Sequence, residues 1–90
     1  MTAKQVYYEG RVQGVGFRYT TKQIAMGYDL SGWVRNLADG RVALQISGEE
    51  KELEAFLQEI RESVLGGHIR KEESETLTSS QPEPGFHIKH

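Results

Sequence analysis

Cysteine is absent from this 90-residue sequence. Its absence excludes disulfide staples, thiolate nucleophiles and cysteine-based zinc sites, and it is compatible with a reducing cytoplasm, where the chain is expected to reside. No stretch approaches the roughly 18 apolar residues that cross a bilayer, and the first residues lack the apolar segment of a secretory leader. No membrane partner is expected. The formal net charge is only −2, so there is no broad basic surface to attract a nucleic acid, and any anion site has to be local. A chain of this length makes one domain, residues 1–90. Folding buries about 60 to 65% of the unfolded chain's surface at this size, which is enough without staples.

Glycine, by contrast, is concentrated. GRVQGVGFR, residues 10–18, holds Gly10, Gly14 and Gly16 within seven positions. Glycine adds no side chain to a core and costs backbone entropy, so such a cluster implies a backbone that something approaches closely. The stretch lies between a strand-like run and a helix-like one. A turn of this kind gathers unpaired N–H groups at a helix N-terminus, where the helix dipole adds partial positive charge. Arg18 places a planar, five-donor cation at the start of that helix. The combination suits an oxyanion, phosphate above all. The spacing matches neither the dinucleotide fingerprint nor the Walker motif, whose Lys and Ser/Thr are missing, so a single terminal phosphoryl group fits better than a nucleotide. The alternative is a tight strand-to-helix turn without a ligand.

Residues 4–12 alternate, with Val6, Tyr8, Gly10 and Val12 on one face, which is the period of a strand. Phe17, Thr21, Ile24, Ala25 and Tyr28 recur at helical steps, and Asp29 is suited to close that helix. Residues 30–37 read as a second strand around Trp33 and Val34. A hairpin turn at Asp39 and Gly40 leads to a third strand over residues 41–47. The second helix starts either from a capping box of Ser47 with Glu50 or at Gly48. Its apolar stripe is Leu53, Phe56, Leu57, Ile60 and Val64, and Gly66 with Gly67 is expected to stop it. Residues 68–77 read as a polar edge strand, 79–85 as a loop with Pro82 and Pro84, and Phe86 with Ile88 as one face of a short last strand. Each helix is expected to join strands that pair in parallel through right-handed crossovers. The predicted architecture is α+β: a ferredoxin-like βαββαβ sandwich, with an antiparallel sheet of four to five strands and both helices on one face.

Asn36 is the second candidate for chemistry. It falls near the end of a strand, just ahead of the hairpin turn, and a neutral amide there can accept a hydrogen from a water and orient it without competing for phosphate charge. A turn-adjacent asparagine bonded to its own backbone is the competing reading. His87 and His90 have metal-like spacing, but on a strand they point to opposite faces and no carboxylate cluster joins them, so no metal is expected. Tyr7, Tyr8 and Phe17 suggest a base-stacking sheet, yet packing explains them more simply. Trp33 also reads as core or sheet-face packing.

With these residues in hand, the sequence closely resembles the acylphosphatases. The likeness is carried by GRVQGVGFR and by GWVRNLADGRV, residues 32–42, in the family's order and spacing. The second helix and the closing Phe86-x-Ile88 fit the same layout. The resemblance implies a ferredoxin-like enzyme that hydrolyses the carboxyl–phosphate bond of acyl phosphates without a metal, a cofactor or a covalent intermediate. It implies phosphate binding by the backbone amides of Gln13, Gly14, Val15, Gly16, Phe17 and Arg18. It also implies catalytic roles for Arg18 as the loop's arginine and Asn36 as the residue that orients water. The expected partner is a small-molecule acyl phosphate, and the expected state a monomer. The alternatives are a non-catalytic module that binds a phosphorylated ligand and, less well matched to the acidic balance, a small RNA-binding domain.

Overall fold

The computed structural model describes residues 1–78 and 83–90. Its elements, in chain order, are β1 (Thr2–Gly10), α1 (Phe17–Ala25), β2 (Ser31–Asn36), β3 (Val42–Gly48), α2 (Glu50–Glu62), a short 3₁₀ turn (Val64–His68), β4 (Ile69–Thr76) and β5 (Phe86–Lys89). They form one five-stranded sheet in the order β4-β1-β3-β2-β5. The expected ferredoxin-like sandwich and its additional last strand are both present. The pairing differs from expectation in two respects. The strands joined by each helix run parallel but do not bond to each other, because β3 lies between β1 and β2, and β1 lies between β3 and β4. The hydrogen-bonded parallel pair is instead β2 with β5, so the sheet is mixed where an antiparallel one is expected.

The alternation read from the sequence places Val6, Tyr8, Val34, Leu44 and Ile46 in the core, against Phe17 and Ala25 of α1 and Leu53, Phe56, Leu57 and Ile60 of α2. Apolar burial of this kind is the main driving force for the sandwich. Phe56 is central: its ring meets the rings of Tyr28 and Phe86 edge-on at centroid distances of 5.8 and 6.1 Å. On the opposite sheet face, Trp33 Nε1 donates to Gln45 Oε1 at 2.9 Å, and the Lys89 ammonium lies 5.1 Å from the Trp33 ring.

Several local expectations are overturned by tertiary contacts. β1 ends at Gly10, short of Val12, at a register shift between Glu9 and Gly10. There the chain passes so close to β4 that a Cβ on Gly10 would lie 2.3 Å from the His68 carbonyl oxygen. Asp29 does not close α1. The helix ends at Ala25, Tyr28 turns its hydroxyl to donate to Glu59 at 2.6 Å, and the Asp29 N–H donates to the Glu52 carboxylate at 3.0 Å. The capping box does not form, because Ser47 stays paired in β3 and α2 is capped at Glu49. Gly66 and Gly67 do not stop α2 either. Ser63 does so, donating to the Ile60 carbonyl at 2.6 Å and accepting from the Leu65 N–H at 3.1 Å. This break rotates Val64 out to 78% exposure and brings Leu65 into the core at 1%. The polar edge strand appears as expected in β4, and Phe86 and Ile88 are the inward residues of β5. Of the expected loop at 79–85, residues 79–82, and so Pro82, lie outside the described residues.

Candidate active site

The connection from β1 to α1 is built by alternating demands. Gly14 and Gly16 adopt φ of +78° and +75°, the left-handed region that favours glycine, and a Cβ at either position would meet nothing within 4 Å. Conformation, and no clash, accounts for glycine here. Between and after them, Val15 packs against the core and Phe17 is buried, its ring 5.1 Å from that of Tyr8. The loop is therefore pinned by alternate side chains on the inside while its glycines stay exposed.

Gly16 is the N-cap of α1 and has no side chain to satisfy the first amides. The first bond of the helix runs from the Thr20 N–H to the Gly16 carbonyl at 3.0 Å. The N–H groups of Phe17, Arg18 and Tyr19 consequently have no acceptor within the helix, and no acidic residue occupies its first turn. Dipole and free donors together favour an anion at this point.

A cleft of about 230 Å³ opens at this helix start. Gly14, Gly16, Phe17, Arg18 and Asn36 all line it, so the two sequence motifs meet in one place. Asn36 reaches it because it ends β2 on the same strand face as the buried Val34. Among the described residues, the Asn36 side chain has no hydrogen-bond partner, its own backbone included, which leaves its amide free for a ligand or a water. Arg18 is held from β5: its Nη1 donates to the Lys89 carbonyl at 3.2 Å and lies 3.2 Å from His90 Nδ1. The Nε–H and the Nη2 pair are left for other acceptors.

The side chains of Gln13 and Val15 are not in the cleft lining. Val15 faces the core, and Gln13 reaches across to the β2–β3 hairpin, donating to the carbonyls of Leu37 at 2.8 Å and Arg41 at 2.9 Å. Conversely, Val12, Tyr19, Ile88 and His90 line the cleft without having been singled out for it from the sequence. Val12 and Tyr19 come with the loop and helix that carry the motif, whereas Ile88 and His90 reach the cleft only because β5 returns beside β2, which no local pattern announces. The hairpin itself is held by Asp39, whose carboxylate accepts from the Arg41 N–H at 3.1 Å and from Arg41 Nε at 2.8 Å. These bonds hold the Asp39 carboxyl below the usual carboxylate range. Tyr8 and Phe17, 0% and 2% exposed, cannot stack on a nucleic-acid base. No group of three or more metal-ligating side chains occurs among the described residues, and none of their helices is long and apolar enough to cross a membrane.

Comparison with known proteins gives this cleft a lineage. The family model described as Acylphosphatase matches residues 4–88. An acylphosphatase of Archaeoglobus fulgidus is 40% identical over 84 residues, which is 88% of this chain and 94% of that protein. The crystal structure of acylphosphatase from Bacillus subtilis superposes with a TM-score of 0.91 over the whole of both chains, at 31% identity. A full-length HypF, solved in a phosphate- and nucleotide-bound form, matches 99% of this chain with 12% of its own length, at a TM-score of 0.88 and 34% identity. Sequence, fold and the meeting of the two motifs agree, and the chain belongs to the acylphosphatase family.

Proposed function

We propose that the protein hydrolyses acyl phosphates to a carboxylate and inorganic phosphate, with residues 1–90 acting as one acylphosphatase domain, a cytoplasmic monomer. The observation that carries this is the cleft shared by the unpaired first-turn amides of α1, the Arg18 guanidinium and the unengaged amide of Asn36. In this reading the phosphoryl group sits in the loop of Gln13, Gly14, Val15, Gly16, Phe17 and Arg18. Backbone N–H groups and the free edge of Arg18 bind its equatorial oxygens, where charge accumulates in phosphoryl transfer. Asn36 accepts a hydrogen of a water and aligns its oxygen for in-line attack. The new P–O bond forms as the bond from phosphorus to the carboxyl oxygen breaks. The carboxylate leaves with that electron pair and needs no acid, and a phosphate oxygen of the substrate accepts the water's proton.

Phosphate release from acetyl phosphate, measured with a metal chelator present, tests the assignment. Arg18→Ala should cost about 3 kcal/mol or more of transition-state stabilisation, roughly a hundredfold or greater loss of kcat/KM. Asn36→Ala should lower kcat while leaving inhibition by inorganic phosphate nearly unchanged. Saturable phosphate binding without turnover by the wild type would instead select the non-catalytic module. Wild-type rates in the protein carrying both substitutions would overturn the assignment of the site.

A further inference from the structure

Gln13 is exposed, yet the NH2 group of its carboxamide is fully committed. Both hydrogens of its Nε2 go to backbone carbonyls, Leu37 at 2.8 Å and Arg41 at 2.9 Å. An exposed side chain with this much rotamer freedom is costly to fix, so two good bonds at once point to a defined position. The acceptors lie where the β2–β3 ladder gives way to its turn. The Leu37 N–H bonds the Arg41 carbonyl at 2.8 Å, but the reciprocal bond is missing, because the Arg41 N–H is taken by Asp39. The Gln13 amide therefore clasps the hairpin at its last rung.

The neighbours on each side give the clasp its consequence. Gln13 immediately precedes Gly14, the first left-handed residue of the cradle that residues 13–18 form for the phosphoryl group in this reading, and Leu37 immediately follows Asn36. Both cradle glycines stand in open space and Gly16 caps α1 without a side chain, so little else ties the exposed side of the loop to the hairpin. We propose that Gln13 is a positioning residue: its carboxamide fixes the distance between the phosphoryl group in the loop and the water held by Asn36. This rests on the reading of the cleft as an acyl phosphate hydrolase. A glutamate of the same length cannot substitute, because an ionised carboxylate only accepts and would face two carbonyl oxygens. Alanine simply releases the two elements.

The test compares wild type, Gln13→Ala, Gln13→Glu, Asn36→Ala and the double variant Gln13→Ala/Asn36→Ala. For each, kcat and KM for acetyl phosphate and the inhibition constant of inorganic phosphate are measured. A misplacement on the order of 1 Å is worth up to about a hundredfold in rate, so Gln13→Ala is expected to lower kcat by about ten- to a hundredfold. Phosphate inhibition should change by less than about threefold, since the cradle itself is intact, and Gln13→Glu should be at least as impaired as Gln13→Ala. In the Asn36→Ala background the Gln13→Ala loss should shrink to within about threefold, because there is no longer a positioned water to misplace. An equal loss in both backgrounds, or a loss seen mainly in phosphate inhibition, would overturn the positioning role. So would unchanged kcat in Gln13→Ala alongside a crippled Asn36→Ala. If wild type has no turnover or Asn36→Ala is fully active, the underlying reading of the cleft fails instead.

Discussion

Gly16→Ala isolates the geometry of the cradle from its packing. Gly16 has φ 75° and ψ 22°, and an added Cβ would touch nothing within 4 Å. The cost is thus the left-handed backbone alone, about 1–2 kcal/mol for an L-residue with a side chain. For a domain of this size each kcal/mol lowers Tm by roughly 4–8 °C, so a fall of about 5–15 °C is expected if the loop keeps its shape. The loop can also escape the strain by turning Gly16 toward the right-handed region, which would spare Tm and re-aim the amides that follow. Either route is visible when thermal unfolding is measured with and without inorganic phosphate. Loss of one charge-assisted N–H bond weakens phosphate binding by about tenfold or more. Gly16→Asn, whose side chain tolerates this conformation better, should recover part of the loss. Gly66→Ala is the control. Its Cβ would lie 2.0 Å from the Arg61 carbonyl oxygen, so backbone must shift, at about 1–3 kcal/mol, with phosphate affinity of the folded protein unchanged. A Gly16→Ala protein with wild-type Tm and wild-type phosphate affinity would refute the reasoning.

Tyr8→Phe should stabilise the protein by about 1 kcal/mol in chemical denaturation, because the Tyr8 hydroxyl is buried with no hydrogen-bond partner among the described residues. The same substitution should flatten the alkaline limb of stability. Burial first, and the nearby Glu72 charge second, push the Tyr8 hydroxyl well above its ordinary 10.0. The unfolded state therefore loses its proton first, and stability present below about pH 10 declines as pH rises above it. Tyr28, raised chiefly by its hydrogen bond to Glu59, leaves a residual slope in the variant. At the end of α2, Leu65→Ala should cost about 2–5 kcal/mol and Val64→Ala well under 1 kcal/mol, read from urea midpoints, the reverse of what the helical stripe alone suggests.

That reversal marks where local pattern stops being informative. Alternation and helical spacing depend on one element's own faces, and they placed Val6, Tyr8, Phe56 and Ile60 correctly in the core. The glycines of the cradle were legible for a similar reason: a positive φ is a demand made residue by residue. Val64 and Leu65 were not, because their order is decided by Ser63, which breaks the helix with its own hydroxyl. The capping box at Ser47 failed because β3 needs that residue for pairing with both Ala3 and Ser31. Asn36 and Arg18 stand out in the sequence through their motifs and line one cleft in the fold, but the contact of Arg18 with Lys89, 71 residues away, follows only from β5 lying beside β2. In the sequence Gln13 is one more amide of the loop. Its side-chain role appears only once the hairpin is seen standing next to it.

The order of strands also sets a timetable. β1 is made early and sits inside the sheet, yet its partners are residues 42–48 and 69–76. During synthesis it must therefore wait, half-apolar and unpaired, until the chain has supplied both neighbours. Sheets closed by such distant pairings fold slowly, on the order of milliseconds to seconds, and expose sticky edges meanwhile. The cleft completes later still, since the residues that hold Arg18 follow β4. A nascent chain should thus acquire its hairpin of β2 and β3 well before any ability to hold phosphate.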